Sequence, residues 1–441
     1  MKSLNFNKNW TFALEQELDG YNHYGLHGAH KSQGAPECKY HYSNWKKIDL
    51  PHDWAIALPK DLRCNTYSGA RAQSHYNRYT TDHNAMVEEV YSVGWYRKEF
   101  PFEKEWMGKR LFLEFEGVYR HADFWINGIY MGNHVGGYTG HIFEITDLLV
   151  ENDSNSLAVR VDAEQAEGWW YEGAGIYRNV NLLVGEPVYW KPLETLVRPQ
   201  IDGAVYASGV LVNDTDNAVS TPVTWTILDK AGCVVASANS SVTIPPYSQA
   251  SVYTQLTVEN PQLWDLDKPN FYTLKMEAMD TQEERFGFRK LRFSGQEGFF
   301  LNDRSVKICG ACVHQDHGGV GVALSDNLIR YRIRKLKEMG VNAYRSSHHA
   351  PSPALLRICD EEGMLVMSET RLFNTSAMAM EQLEDLVRRG RNHPCVFMWC
   401  VGNEEKLFAD TQGKRIFKAI TSNSNVHIFR CVLRCTSTQT I

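Results

Sequence analysis

The stretch Val341 to Glu369, VNAYRSSHHAPSPALLRICDEEGMLVMSE, decides the fold. It opens on a short strand, VNAYRSS, passes through a helical pattern, SPALLRICDEEG, closed by Gly363, and returns to a strand, MLVMSE. Two strands joined by a helix form a crossover unit, whose strands run parallel. The pattern extends both ways. Upstream, VKICGACV (306–313) reads as a strand. Ser325 can then cap a helix carrying Leu328, Ile329, Ile333, Leu336 and Met339, ended by Gly340. Downstream, a helix through Leu383, Leu386 and Val387 leads to a fourth strand, CVFMWCVGN (395–403). This alternation predicts a parallel sheet, open or closed into a barrel. Arg330, Arg332, Arg334, Lys335 and Lys337 read as solvated positions around the first helix rather than as a binding patch.

Before about Ser294 the pattern is β throughout. Leu111, Leu113 and Phe115 share one face of a strand, as do Ala122, Phe124 and Ile126 of the next. Asn127-Gly128 follows as a two-residue hairpin signal, so Asn127 reads as turn rather than ligand. Leu157, Val159 and Val161 alternate again, and the polar stretch from about Asp61 to Glu89 reads as a long surface loop. From about Glu186 a second rhythm starts, with Val223, Trp225 and Ile227, then Val252, Thr254, Leu256 and Val258, then Tyr272, Leu274 and Met276. The first region fits a sandwich or jelly roll, the second an immunoglobulin-like sandwich.

Composition sets outer limits. The chain has 441 residues, 43% hydrophobic and 22% charged, as expected for globular domains. The formal net charge of −6 argues against nucleic acid or an anionic membrane as partner. No run approaches the roughly 18 apolar residues of a membrane span. The start, MKSLNFNKNWTFALEQ, has no apolar core of a secretory signal, and the 10 irregularly spaced cysteines fit a reducing cytoplasm. Cys309 and Cys312 form a C-x-x-C, but period 2 sends them to opposite strand faces, against a redox or metal role. Aromatics at 12% suit large sandwiches or binding of apolar sugar faces.

In a β/α barrel the reactive groups sit at the C-terminal ends of strands. The four strands deliver His314, Asp316 and His317; Arg345, Ser346, His348 and His349; Glu369; and Asn403, Glu404 and Glu405. Two chemistries compete. A carboxyl can protonate a glycosidic oxygen while His, Arg and Asn hold sugar hydroxyls, or the His/Asp cluster can bind a catalytic metal. Trp169, Trp170 and Tyr171 either stack on a sugar ring or form sandwich core, and Trp399 reads as strand packing.

Together, GACVHQDHGG (310–319), MGVNAYRSSHHAPSPALLRICDEEGMLVMSET (339–370) and RNHPCVFMWCVGNEE (391–405) resemble the barrel signatures of glycoside hydrolase family 2. Upstream, LPHDWAI, VGWYRKEF, FWINGIYMGNHVGGYTGHIFEITDLL, WWYEGAGIYRNVNL and NPQLWDLDKPNFYTL resemble its two β domains, and FGFRKLRF the barrel entry. The resemblance runs from about residue 5 to 415 and is greatest to the β-galactosidase branch. It implies a multidomain β plus α/β protein: a jelly-roll β-sandwich over 1–185, an immunoglobulin-like β-sandwich over 186–293, and the first half of a (β/α)8 barrel over 294–441, with a divergent tail from about 420. It implies Glu404 as catalytic acid/base, Asn403 on the sugar 2-hydroxyl, and His314, Arg345, His348, Glu369 and Trp170 around the substrate. Ser368 and Gly390 stand where the family has Asp, and TRLFNTS does not reproduce the magnesium ligands of some relatives, so no cofactor or metal is expected.

The family's nucleophile ends the seventh barrel strand, and only 37 residues follow Glu404 here, room for one more strand around VHIFRCVL (426–433). The chain is therefore expected to be a shortened glycosidase, inactive or very weakly active alone. The partner is a carbohydrate, with a homo-oligomer or a complementing C-terminal fragment left open. The alternative is a non-catalytic carbohydrate-binding or assembly protein.

Overall fold

The computed structural model describes residues 1–18, 42–58, 93–164, 170–405, 410–422 and 432–435. The expected loop at 61–89 and Trp169 lie outside them. The described residues fall into two compact units, one of Ser3–Val184 with His314–Ser325, the other of Met1–Lys2, Gly185–Val313 and Asp326–Ile441.

The first unit is a β-sandwich. Its six-stranded sheet has the order Lys46–Ile48, Trp10–Leu14, Val93–Pro101, Ser154–Asp162, His121–Ile126, Ile129–Val135. Its four-stranded sheet has the order Lys2–Asn5, Val180–Gly185, Arg110–Phe115, His141–Glu144. The inward positions anticipated from alternation are buried: Leu111, Leu113, Phe115, Ala122, Phe124 and Ile126 are each at most 1% exposed. Asn127 (φ 50°) and Gly128 (φ 77°) make the hairpin turn between Ile126 and Ile129, and the Asn127 side chain donates to Leu148 O and Asn155 Oδ1.

The second unit holds the other sandwich and the parallel sheet. Val234–Ile244, Val219–Leu228, Tyr272–Glu277 and Thr281–Phe286 form one sheet; Val188–Trp190 and Leu196–Pro199 pair with Ala204–Asn213, which also pairs with Ser248–Thr257. Trp190, Trp225, Ile227, Leu274 and Phe286 fill the core between them. Thr254 is the one predicted inward position outside that core; its neighbours Val252 and Leu256 are in it.

The parallel sheet has five strands in sequence order: β1 (Gly310–Val313), β2 (Ala343–Ser346), β3 (Leu365–Glu369), β4 (Val396–Asn403) and β5 (Val432–Cys435). The helices α1 (Asp326–Glu338), α2 (Pro353–Glu362), α3 (Ala377–Gly390) and α4 (Thr411–Thr421) alternate with them. β1 is shorter than expected, and of the predicted stretch 426–433 only Val432 and Leu433 lie among the described residues, both in β5. The Ser352 hydroxyl accepts from Leu355 N to start α2, and Gly363 (φ 70°) ends it with its N–H on Cys359 O at 3.0 Å. No helix among the described residues is long and apolar enough to cross a membrane.

The basic face of α1 is exposed at Arg334 and Lys335, as the sequence reading has it, while Arg330 and Lys337 are only partly exposed. Arg330 and Arg334 donate to Glu362, 2.7 and 3.0 Å away, and Lys337 donates to Leu266 O at 2.8 Å. Periodicity along α1 could not show this, because the acceptors stand at the end of α2 and in the preceding sandwich. The same junction constrains Gly363. A Cβ there would lie 2.3 Å from the Leu266 carbonyl oxygen, on a left-handed backbone. Gly363→Ala is expected to destabilise this unit by roughly 2 to 4 kcal/mol. Thermal melting that shows no loss would contradict this packing.

Candidate active site

The parallel register places the C-terminal ends of β2, β3 and β4 side by side: Arg345 is level with Met367, and Glu369 with Cys400. Glu369 is fully buried, and both carboxylate oxygens are engaged. Oε2 accepts from Arg345 Nε at 2.7 Å, and Oε1 lies 2.7 Å from His348 Nδ1. A carboxylate can only accept, so Nδ1 carries a proton and donates it to Glu369. Arg345 Nη2 lies 3.3 Å from the same Nδ1, a contact between two donors, and donates instead to Asn403 Oδ1 at 2.7 Å. That bond fixes the Asn403 amide, with its oxygen toward the guanidinium and its NH2 as the remaining donor.

Glu404 follows at the strand end, exposed, with φ 52° in the left-handed region that side chains seldom adopt. Glu405 is the less exposed neighbour. Burial pushes its carboxyl pKa up, with Arg371 opposing and Glu369 reinforcing. Arg371 and Glu405 are thus electrostatically tied to this rim. The sequence reading gave Arg371 no role, since one strand's alternation cannot report a field set by its neighbour.

Other predicted residues go elsewhere. His349 is buried and its Nδ1 donates to Ala350 O at 3.1 Å. Cys309 and Cys312 are free, exposed thiols, and Arg345 Nη1 lies 3.7 Å from Cys312 Sγ. Trp399 is 9% exposed; a Cβ on Gly390 would meet its ring at 2.7 Å, so an Asp there would collide. The Ser368 hydroxyl is buried with no hydrogen-bond partner among the described residues. In the first unit, the His314 ring stacks on Trp170, centroids 5.2 Å apart and planes 18° from parallel. Trp170 is 4% exposed, so it offers little open face.

Among the described residues, Asp360, His393 and Cys395 lie close enough to hold a metal, their ligand atoms within 4.8 Å of one another. They are already linked among themselves. Asp360 Oδ2 meets His393 Nδ1 at 2.5 Å, Oδ1 accepts from Cys395 N at 3.0 Å, and the Cys395 thiol donates to Leu356 O at 3.4 Å. Trp264 of the preceding sandwich donates to Asp360 O at 2.9 Å. Burial alone would lower the His393 pKa; the Asp360 carboxylate, its hydrogen bond and Glu284 outweigh it, and the pKa is raised. The cluster therefore reads as a charged clamp.

Residues 1–186 match the sugar binding domain of glycosyl hydrolases family 2, residues 195–289 its central domain, and residues 294–434 its TIM barrel domain. The chain belongs to glycosyl hydrolase family 2. The barrel match reaches residue 434, into the stretch where the resemblance was expected to fade. A β-galactosidase of Bacteroides ovatus is 36% identical, over 90% of this chain and 46% of that protein. A β-glucuronidase of Bacteroides fragilis is 27% identical, over 90% and 58%. A crystal structure of a family 2 member from Bacteroides cellulosilyticus superposes with a TM-score of 0.80 at 31% identity, covering 96% of this chain and 55% of that one. The chain thus spans about half the length of the relatives it matches.

Two outcomes follow. Arg345→Gln, which strands the buried Glu369 carboxylate, should cost about 3 kcal/mol, Glu369→Gln, which unpairs the partly exposed Arg345, should cost less, and the double variant should cost clearly less than their sum. Additive losses on thermal melting would contradict the pairing. His393 binds its proton more tightly folded than unfolded. Its stabilisation is therefore complete below about pH 6.5 and is lost as pH rises through the raised native value. The melting difference between the parent and His393→Gln should shrink over that range; a difference constant from pH 5.5 to 9 would refute the clamp.

Proposed function

We propose that this chain carries the proton-donating part of a retaining β-glycosidase site for terminal β-linked galactose. The Arg345–Asn403 hydrogen bond supports this most directly. It leaves the Asn403 NH2 as a donor for a sugar 2-hydroxyl, a contact that strengthens as charge develops at the anomeric carbon. Glu404, next in the chain, is the acid that protonates the departing oxygen and then the base that takes a proton from water. Arg345 and His348, both held by Glu369, contact the sugar from the parallel sheet, and His314 is read as a further sugar contact. Glu369 acts as their anchor, because its oxygens are already engaged, and Trp170 acts as the support of His314. The galactoside preference is taken from the Bacteroides ovatus relative.

A retaining site also needs a nucleophilic carboxylate about 5 to 5.5 Å from the acid. In this reading it comes from a later strand of a barrel with about eight, and the described sheet has five. Turnover of nitrophenyl β-galactoside by the 441-residue chain is therefore expected to be very weak, and to rise on mixing with a fragment that supplies the later strands. In that mixture, Glu404→Gln should cut turnover by about 100-fold or more, and Glu405→Gln far less. Turnover untouched by Glu404→Gln, or a preference for the glucuronide, would sink the assignment.

A further inference from the structure

We propose that Asp53 is a positioning residue that latches the loop after β1 to the first sandwich and so sets the His314 ring on Trp170. Residues His314–Ser325 group with Ser3–Val184 rather than with the strand they follow. Within the loop, His317 N donates to Gly321 O at 2.8 Å and Gly321 N to His317 O at 3.0 Å, a tight turn that leads into the buried Val322. The Val322 amide donates to Asp53 Oδ2 at 3.0 Å. The same oxygen accepts from the Tyr171 hydroxyl at 2.8 Å, while Oδ1 accepts from Ala55 N and Ala174 N, both at 3.0 Å.

The two carboxylate oxygens thus have separate tasks. Oδ1 serves the sandwich alone; Oδ2 reaches the loop. Two glycines make room for that reach. A Cβ on Gly321 (φ 60°) would lie 2.1 Å from Asp53 Oδ2, and one on Gly173 (φ 69°) would lie 2.3 Å from Val322 Cγ2. The other end of the loop rests on the same sandwich segment. His314 stacks on Trp170, and Gln315 Oε1 accepts from Arg178 Nη2 at 3.2 Å. Trp170 and Tyr171 are consecutive, so one short segment holds the histidine and the latch together. Burial pushes the Asp53 carboxyl pKa up, against four hydrogen bonds that favour its charged form.

The catalytic value of this latch rests on the reading of His314 as a sugar-pocket residue, but its test needs no sugar. Asp53→Asn keeps Oδ1 for Ala55 and Ala174 and places an NH2 against the Val322 N–H, donor facing donor. Amide exchange across 314–325 should then rise about tenfold or more, with strands 93–164 unchanged. In protein labelled at histidine, the ring-proton signal assigned by its loss in His314→Gln should lose its ring-current shift. Tyr171→Phe, which keeps the Val322 bond, should loosen the loop less. Parent-like exchange and ring-current shift in Asp53→Asn, or loosening spread over the whole sandwich in both variants, would overturn the latch. Failure of the sugar reading would appear instead as turnover indifferent to Glu404→Gln.

Discussion

The constraint on which the site depends is the burial of the Glu369 carboxylate at the end of β3. A charge there is tolerable only if its lone pairs are filled by strong donors. Arg345 and His348, from the next strand and the turn after it, supply them. Once Arg345 Nε is fixed by Glu369, its Nη2 is aimed at Asn403 on β4. One ion pair on the buried Glu369 therefore orders side chains from three strands, and the exposed Glu404 follows the fixed Asn403 amide.

Much of this was legible in the sequence, because parallel strands declare themselves by alternation with helices and their C-terminal residues are then known by position. Arg345, His348, Glu369 and Asn403 were all read that way, and all four meet in one network. What could not be read was set by chain-distant partners. Arg330 and Lys337 looked solvated until Glu362 and the Leu266 carbonyl appeared beside them. Gly390 looked like a lost acid until the Trp399 ring was found against it. Asp53 lies 269 residues from the Val322 amide it holds, and no local pattern announces such a bond.

Two kinds of support for a strand-end residue are present. The Arg345 network is electrostatic and lies within the parallel sheet. The His314 support is a ring stack and a carboxylate latch supplied by a β-sandwich. In a family 2 chain this gives the sugar-binding type domain a mechanical task beyond any surface it offers to carbohydrate.

The most direct test of the account is calorimetric titration of the 441-residue chain with a galactose-configured iminosugar and with the same compound lacking its 2-hydroxyl. The account predicts that removing the hydroxyl weakens binding by about tenfold, one hydrogen bond's worth, and that Asn403→Ala abolishes this difference. Equal affinity for the two compounds in the parent chain would contradict it.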